Sequence, residues 1–313
     1  MIVDVHAHWM PREHFLNMQK YIDYHERAEP TMSGQGMRVV RNGIQVFSIP
    51  DRFYKLDEQV RDMDEAGVDK LVLHTDTWQT WISMDTCTFI NDELAREIEK
   101  YPDRFVGLAH VPPIEAAVDE LDRAIKDLGF KGVALTGHYR GAYLDEDVCK
   151  PFLKKVSELD VPIVVHPTAT PVEYQTLKRT PMFLMRVIDG GIATARVLVN
   201  VLKEFRSLKF VMPHCGGAFT MVMTIQTREE NEKLYERQCL DRLYVDTATG
   251  GRSAAMIKAC IDTYGPNQVM LGTDYPSSYD LLKKGVQTVK NLDVDEETKR
   301  KILGENAARV FKI

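Results

Sequence analysis

Two histidines stand two residues apart in the opening stretch MIVDVHAHWMP, directly after the apolar run Ile2–Val5. Side chains at positions i and i+2 of a strand point to the same face, so a strand here directs the imidazoles of His6 and His8 to one place. Two neutral imidazoles that meet in this way are typical of a metal site. The pattern is short, and a pair of surface histidines explains it equally well.

Polar residues also end three other apolar runs of the sequence. PIVVH ends in His166, KFVMPH ends in His214 and VMLGTD ends in Asp274. A single histidine at a strand end is more often a core residue than a ligand. Burying several such groups is costly unless they bond each other or a metal ion, so packing alone is a poor explanation for the whole set.

The elements that must position these residues are short apolar strands that alternate with amphipathic helices. The strand candidates are rich in Val, Leu and Ile, as strands buried on both faces are. Segments between them, such as DEQVRDMDEAGVDK and AVDELDRAIKDLG, show the helical spacing of apolar residues. The predicted strands are Ile2–Val5, Lys70–His74, Phe105–His110, Gly132–Leu135, Pro162–His166, Lys209–His214, Leu243–Asp246 and Gln268–Asp274.

This alternation predicts an α/β protein with a parallel (β/α)8 TIM barrel, whose functional residues gather at the carboxyl ends of the strands. An open doubly wound sheet is the alternative, but no GxGxxG follows the first strand. We expect one domain over residues 1–313. Residues 10–54 have mixed polarity and are too many for a βα loop, which predicts an insertion after strand one that covers the barrel mouth.

Composition and charge exclude several classes of partner. The net charge of −6 gives no indication of binding to nucleic acid or to an anionic membrane surface. The five cysteines have no framework spacing, which indicates reduced thiols and a cytoplasmic protein. We expect no signal peptide, because no basic segment precedes an apolar core near the N-terminus, and no membrane span.

The HxH pair on strand one, the histidines that end strands five and six and the aspartate that ends strand eight resemble the pattern of the amidohydrolase superfamily. The resemblance extends along the whole chain, and it is strongest with the branch that contains aminocarboxymuconate-semialdehyde decarboxylase. The segments that carry it are DVHAHWMP, RDMDEAGVDKLVL, DRFVGLAHVP, LGFKGVALTGH, VPIVVHP, LKFVMPHCGGAF and VMLGTDYP.

The resemblance implies one divalent metal ion and assigns its ligands as His6, His8, His166 and Asp274. It places His214 beside the metal-bound water as acid and base, and Asp274 is a second proton acceptor. Three imidazoles and a carboxylate suit Zn²⁺, which we expect, or Mn²⁺. Binuclear members of the superfamily carry a bridging lysine at the end of strand four, but Lys131 lies at the other end of that strand, so we expect a single metal.

The sequence departs from the resembling decarboxylase at its substrate-binding arginines. That enzyme holds carboxylates with one arginine after strand one and another from a neighbouring subunit, and these positions carry Phe47 and Ile225 here. We therefore expect Arg52, the nearest guanidinium to Phe47, to bind the substrate's carboxylate. Two further residues are expected to line the pocket, namely Trp78 after strand two, for which ordinary packing is the alternative, and His138 after strand four.

The family also shapes its pocket with residues of a second subunit. The resemblance therefore implies a homodimer or homotetramer. The arginines placed to cross between subunits are Arg228 and Arg237, in the charged stretch after HCGGAF.

The function that these observations predict is metal-dependent decarboxylation of a small aromatic or unsaturated carboxylic acid. The alternative is a hydrolase that uses the same metal-bound water to attack a lactone, an amide or a carbon–carbon bond. A non-catalytic binding or scaffold protein is a third possibility, but it has little use for a complete set of metal ligands.

Overall fold

The computed structural model of the chain describes residues 1–17, 26–34, 36–41, 44–75, 83–168, 182–248 and 253–313. Its strands are β1 (Val3–Trp9), β2 (Glu26–Pro30), β3 (Gly36–Arg41), β4 (Ile44–Pro50), β5 (Lys70–Thr75), β6 (Phe105–Gly107), β7 (Ala109–His110), β8 (Val133–Thr136), β9 (His138–Tyr139), β10 (Ala142–Tyr143), β11 (Ile163–His166), β12 (Phe210–Met212), β13 (Leu243–Asp246) and β14 (Val269–Met270).

The helices that follow and connect these strands are mostly short. They are α1 (Arg12–Leu16), α2 (Leu56–Ala66), α3 (Met84–Ile98), α4 (Val118–Lys126), α5 (Lys150–Leu159), α6 (Met182–Arg196), α7 (Leu202–Glu204), α8 (Pro213–Gly216), α9 (Ala218–Met223), α10 (Arg228–Tyr235), α11 (Arg237–Leu240), α12 (Ala254–Tyr264), α13 (Leu281–Lys290), α14 (Glu296–Arg300) and α15 (Asn306–Phe311). Single π-helical turns cover Val197–Val201 and Lys301–Glu305.

Parallel strands form the wall of a barrel in the order of the sequence. β1 pairs with β5 and β5 with β6, while β7, β8, β11, β12, β13 and β14 pair in that order. The third wall strand is interrupted at Leu108, between β6 and β7. The last strand returns to the first, because Val5 N–H donates to the carbonyl of Leu271 at 2.8 Å and Asp274 N–H donates to the carbonyl of His6 at 2.9 Å. The predicted barrel is confirmed, and each predicted strand lies in its wall.

Apolar side chains fill both sides of this wall, as the continuous apolar runs require. One buried cluster lies inside the barrel, and α15 contributes Ala307, Val310 and Phe311 to it. A larger cluster joins the outer faces of the strands to the surrounding helices. The wall is therefore rigid on both sides, which fixes the side chains at its carboxyl end.

The segment after β1 forms α1 and an antiparallel sheet of β2, β3 and β4 in that order. It has a small core of its own, made of Met10, Phe15, Met37, Val39, Ile49 and Phe53. Met10 N–H donates to the carbonyl of Phe53 at 3.0 Å, which ties the end of this segment to the exit of β1.

Within the described ranges, no helix has both the length and the apolar composition that a membrane crossing requires. The five cysteines are buried and form no disulfide.

Candidate metal centre

The four side chains assigned as metal ligands converge at the mouth of the barrel. Oδ1 of Asp274 lies 3.0 Å from Nε2 of His8, 3.3 Å from Nε2 of His6 and 3.9 Å from Nε2 of His166. One ligand atom from each residue lies within 4.8 Å of the other three. Three imidazole nitrogens and one carboxylate oxygen at this spacing form a donor set that suits Zn²⁺ or Mn²⁺.

Hydrogen bonds at the far side of the rings orient two of these imidazoles. Nδ1 of His6 lies 2.7 Å from Oδ2 of Asp246, and Nδ1 of His166 lies 2.7 Å from the carbonyl oxygen of Pro167. In both rings Nδ1–H is the donor, so Nε2 presents its lone pair to the centre. Both Nε2 atoms are buried and have no hydrogen-bond partner among the described residues. A cation at the centre would satisfy them.

The electrostatics of the site also indicate that it can hold a cation. Burial opposes protonation of His6, yet the carboxylates of Asp246 and Asp274 raise its pKa to about 10. Burial alone would raise the pKa of Asp274, but the imidazoles of His166, His6 and His8 beside its carboxylate lower that pKa well below its usual range. The carboxylates thus stabilise positive charge at the centre, which a divalent ion supplies without protonating the histidines.

Asp246 is a residue of this site that the sequence analysis did not select. It ends β13 and is fully buried. Its Oδ1 accepts hydrogen bonds from the N–H groups of His214 and Ala248, both at 2.9 Å, while Oδ2 accepts from His6. The carboxylate of Asp246 therefore fixes the position of His6, on β1, relative to the turn that follows β12. The sequence signal was present, since LYVD ends a predicted strand in a polar residue as the selected strands do.

His214 lies on a left-handed turn directly after β12. The backbone has φ 53° at His214, 60° at Cys215, 72° at Gly216 and 63° at Gly217. The imidazole of His214 meets that of His6 edge to face, with ring centroids 4.9 Å apart. Burial lowers the pKa of His214 to about 4, so the ring is neutral at pH 7 and can accept a proton.

His74, at the end of β5, packs its imidazole against the ligand ring of His6. The two rings stack with centroids 5.1 Å apart and an interplanar angle of 14°. Nε2 of His74 donates to the carbonyl of Val5 at 2.9 Å. Burial holds the pKa of His74 well below its usual range, so this ring adds no charge to the site.

The predicted substrate-binding residues lie in different surroundings. The guanidinium of Arg52 is bound by carboxylates, with Nη1 2.7 Å from Oδ1 of Asp62 and Nε 3.2 Å from Oε2 of Glu58. His138 is buried at the end of strand four, and its Nδ1 accepts from the N–H of Gly141 at 3.2 Å. Trp78 lies outside the described residues.

Known proteins of similar sequence identify the family of this chain. The chain matches the sequence model of the amidohydrolase family over residues 3–313. It is 24% identical to 2-amino-3-carboxymuconate-6-semialdehyde decarboxylase of Dictyostelium discoideum, over 97% of this chain and 90% of the relative. It is 26% identical to gamma-resorcylate decarboxylase of a Polaromonas species, over 82% of this chain and 87% of the relative.

The fold is similar to that of 5-carboxyvanillate decarboxylase from Novosphingobium aromaticivorans, solved with bound manganese and 3-methoxy-4-hydroxy-5-nitrobenzoic acid. The TM-score is 0.81 at 23% identity, and the alignment covers 100% of this chain and 97% of the solved one. The family model spans nearly the whole sequence and confirms the family that the motifs predict. The chain therefore belongs to the amidohydrolase family.

Proposed function

We propose that the protein is a metal-dependent decarboxylase that acts on a small aromatic or unsaturated carboxylic acid. The observation that carries this proposal is the convergence of three Nε2 atoms on Oδ1 of Asp274, beside the neutral and buried His214. The names of the two relatives, both decarboxylases of such acids, support the choice of reaction.

In this proposal His6, His8, His166 and Asp274 would hold one divalent ion, which would supply Lewis-acid polarisation of a substrate oxygen. Zinc is the expectation from the ligand set. Manganese, which the similar 5-carboxyvanillate decarboxylase structure contains, is the alternative. The position of Lys131, at the end of strand four opposite the candidate site, supports one ion per site, because the lysine that bridges two ions in binuclear members is missing. Metal analysis of the purified protein tests both the identity and the number of ions.

Two residues of the protein, His214 and Asp274, are placed to transfer the proton. A substrate hydroxyl can give its proton to the neutral imidazole of His214 or to the carboxylate of Asp274, and the residue that took this proton can then deliver it to the carbon that carries the carboxylate. The carbon–carbon bond breaks, its electron pair restores the unsaturated system, and the carboxylate leaves as CO₂.

We also propose a homodimer or homotetramer. The surface after the His214 turn exposes large apolar side chains, with Met221 72% exposed, Val222 50% and Ile225 81%. A neighbouring cluster of exposed apolar side chains is typical of an interface. The same surface lies a few residues from His214 in the chain, so a partner subunit would sit close to the active site. A cytoplasmic location is proposed on the basis of the five buried, unbridged cysteines.

The test is a substrate screen with the metal-loaded protein. Hydroxylated aromatic acids and muconate-like acids are offered, and both CO₂ and ring-opened products are measured. We expect CO₂ release from at least one of them and its loss after removal of the metal. Hydrolysis of lactones, amides or esters without any CO₂ would favour the metal-dependent hydrolase instead.

A further inference from the structure

The barrel wall closes irregularly where the chain after β14 meets β1. Val5 N–H donates to the carbonyl of Leu271 at 2.8 Å, so a regular parallel ladder would continue from Thr273 N–H to the carbonyl of Val5. That carbonyl accepts from Nε2 of His74 at 2.9 Å instead, and Thr273 N–H donates to a side chain. The hydrogen-bond ladder between the last strand and the first is therefore interrupted at this point.

The carboxylate of Asp4 accepts the hydrogen bonds at this interruption. Its Oδ1 accepts from Thr273 N–H at 3.1 Å and from His6 N–H at 2.9 Å, and its Oδ2 accepts from the hydroxyl of Thr273 at 2.5 Å. The register of β1 against β5 also shifts between Asp4 and Ala7, so His6 lies at an irregular point of the wall on that side too. Asp4 is fully buried, and these three hydrogen bonds offset the cost of burying its carboxylate.

The residues that donate to Asp4 carry or adjoin two of the candidate metal ligands. His6 is itself a candidate ligand, and Thr273 directly precedes Asp274. Asp274 N–H in turn donates to the carbonyl of His6 at 2.9 Å, and Oδ1 of Asp274 lies 3.3 Å from Nε2 of His6. A shift of the main chain at either residue would change this separation. Tight metal binding needs ligands that are held in place before the ion arrives.

We propose that Asp4 is a positioning residue, which holds the main chain of His6 and of Asp274 at the spacing that a divalent ion requires. The inference rests on the metal site of the proposed function and is independent of the reaction. The role needs hydrogen-bond acceptors rather than a charge. An amide at this position keeps a carbonyl oxygen for the two N–H groups, and its NH₂ group can donate to the hydroxyl oxygen of Thr273.

The test measures the affinity for Zn²⁺ by competition with a chelator, and the free energy of unfolding of each metal-free variant with denaturant. Asp4→Ala should weaken metal binding by about 10- to 100-fold, the usual effect of losing a residue that supports a ligand. Asp4→Asn should bind Zn²⁺ nearly as tightly as the wild type, because the three hydrogen bonds can still form. Asp69→Ala is the matched control and should leave the affinity unchanged. The carboxylate of Asp69 also accepts from a main-chain N–H, that of Ile2 at 2.6 Å, but at the opposite end of β1.

Two results would overturn the role of Asp4. One is an unchanged metal affinity in Asp4→Ala together with a lowered free energy of unfolding, as for a residue that only stabilises the barrel. The other is an equal loss of affinity in Asp4→Asn and Asp4→Ala, which would assign the effect to charge.

A milder variant decides the question if Asp4→Ala does not fold. Thr273→Val removes the hydroxyl that donates to Asp4 and keeps the shape of the side chain, so it should weaken Zn²⁺ binding by a smaller factor. Unchanged affinity in Thr273→Val would then count against the role. A wild-type protein that binds no divalent ion would contradict the proposed metal site and with it the role of Asp4. The results that overturn Asp4 alone leave the metal site standing.

Discussion

His214 and Asp274 share a backbone conformation that side chains rarely adopt, with φ of 53° and 64°. Left-handed backbone costs a residue other than glycine roughly 1–2 kcal/mol, and such strain is concentrated at functional sites. Hydrogen bonds hold both residues in place, from His214 N–H to Asp246 and from Asp274 N–H to the carbonyl of His6. The positions of the two proposed proton carriers are thus set by the main chain.

His214→Ala should leave the metal content nearly unchanged and lower kcat by at least about 100-fold, as removal of a general acid–base group does. The reason is that the ring lies beside the ligand cluster, which is complete without it. Metal analysis and turnover are measured on the same preparation. Loss of the metal together with activity would make His214 a ligand and would contradict its assignment.

Asp246→Asn should weaken metal binding by about 10- to 100-fold, the usual effect of changing a carboxylate that orients a ligand histidine. The amide keeps the shape of the side chain but removes the charge that faces Nδ1 of His6. Competition with a chelator gives the affinity. Asp241→Asn, at a half-exposed residue five positions earlier, is the control. Unchanged affinity in Asp246→Asn would show that this hydrogen bond does not support the ligand.

The sequence predicted which residues converge here but not how they are supported. His6, His8, His166 and Asp274 end strands, and strand ends of a parallel barrel meet at one rim, so their meeting follows from topology. The hydrogen bonds of Asp246 could not be predicted, since they depend on side-chain rotamers and on the register between β12 and β13. The ion pairs of Arg52 with Asp62 and Glu58 could not be predicted either, because they form only when α2 packs beside Arg52.

At the scale of elements, the turn that carries His214 depends on glycine. Gly217 has φ 63°, and an added Cβ would lie 2.6 Å from the carbonyl oxygen of Val187 on α6. The close approach of α6 to this turn therefore requires a residue without a side chain.

Gly217→Ala should destabilise the protein by about 1–3 kcal/mol more than Gly34→Ala, because it adds an overpacking cost to the cost of left-handed backbone. Gly34 is the matched control, since its φ is 71° and nothing lies within 4 Å of its added Cβ. Denaturant unfolding of both variants gives the difference. Equal destabilisation would mean that α6 can move away from the turn without cost.

The wall strands were predictable because strands buried on both faces read as continuous apolar runs. The antiparallel sheet of β2, β3 and β4 was not predicted, although an insertion was. Its sequence alternates in polarity around a small core, as Val39 is buried while its neighbour Arg38 pairs with Glu29 at the surface. Short strands of this kind are hard to distinguish from a polar loop without knowledge of what they pack against.

At the scale of the whole molecule, the exposed apolar surface around α9 has to be covered if the proposed assembly exists. Exposing a cluster of this kind to water is unfavourable by roughly 25 cal/mol for each Å² of apolar area that an interface would bury. The surface follows the His214 turn directly, so assembly and active-site structure are expected to be coupled.

The double variant Met221→Glu/Ile225→Glu should shift the proposed dimer or tetramer to monomer at micromolar concentration, because it places charge in the apolar contact. Light scattering after size exclusion gives the mass. Val148→Glu, at another exposed apolar residue that is 49% accessible, is the control and should not change the mass. A wild-type protein that is monomeric and fully active would refute the proposed assembly.

The proposed reaction protonates a carbon at the candidate metal site and releases CO₂. It is tested most directly by turnover of the best acid from the screen in deuterium oxide, with CO₂ and the product's deuterium content measured together. We expect one CO₂ and one deuterium, at the carbon that carried the carboxylate, for each turnover, and loss of both signals when the metal is removed. Turnover in which water oxygen enters the product, without CO₂ and without deuterium at carbon, would contradict it.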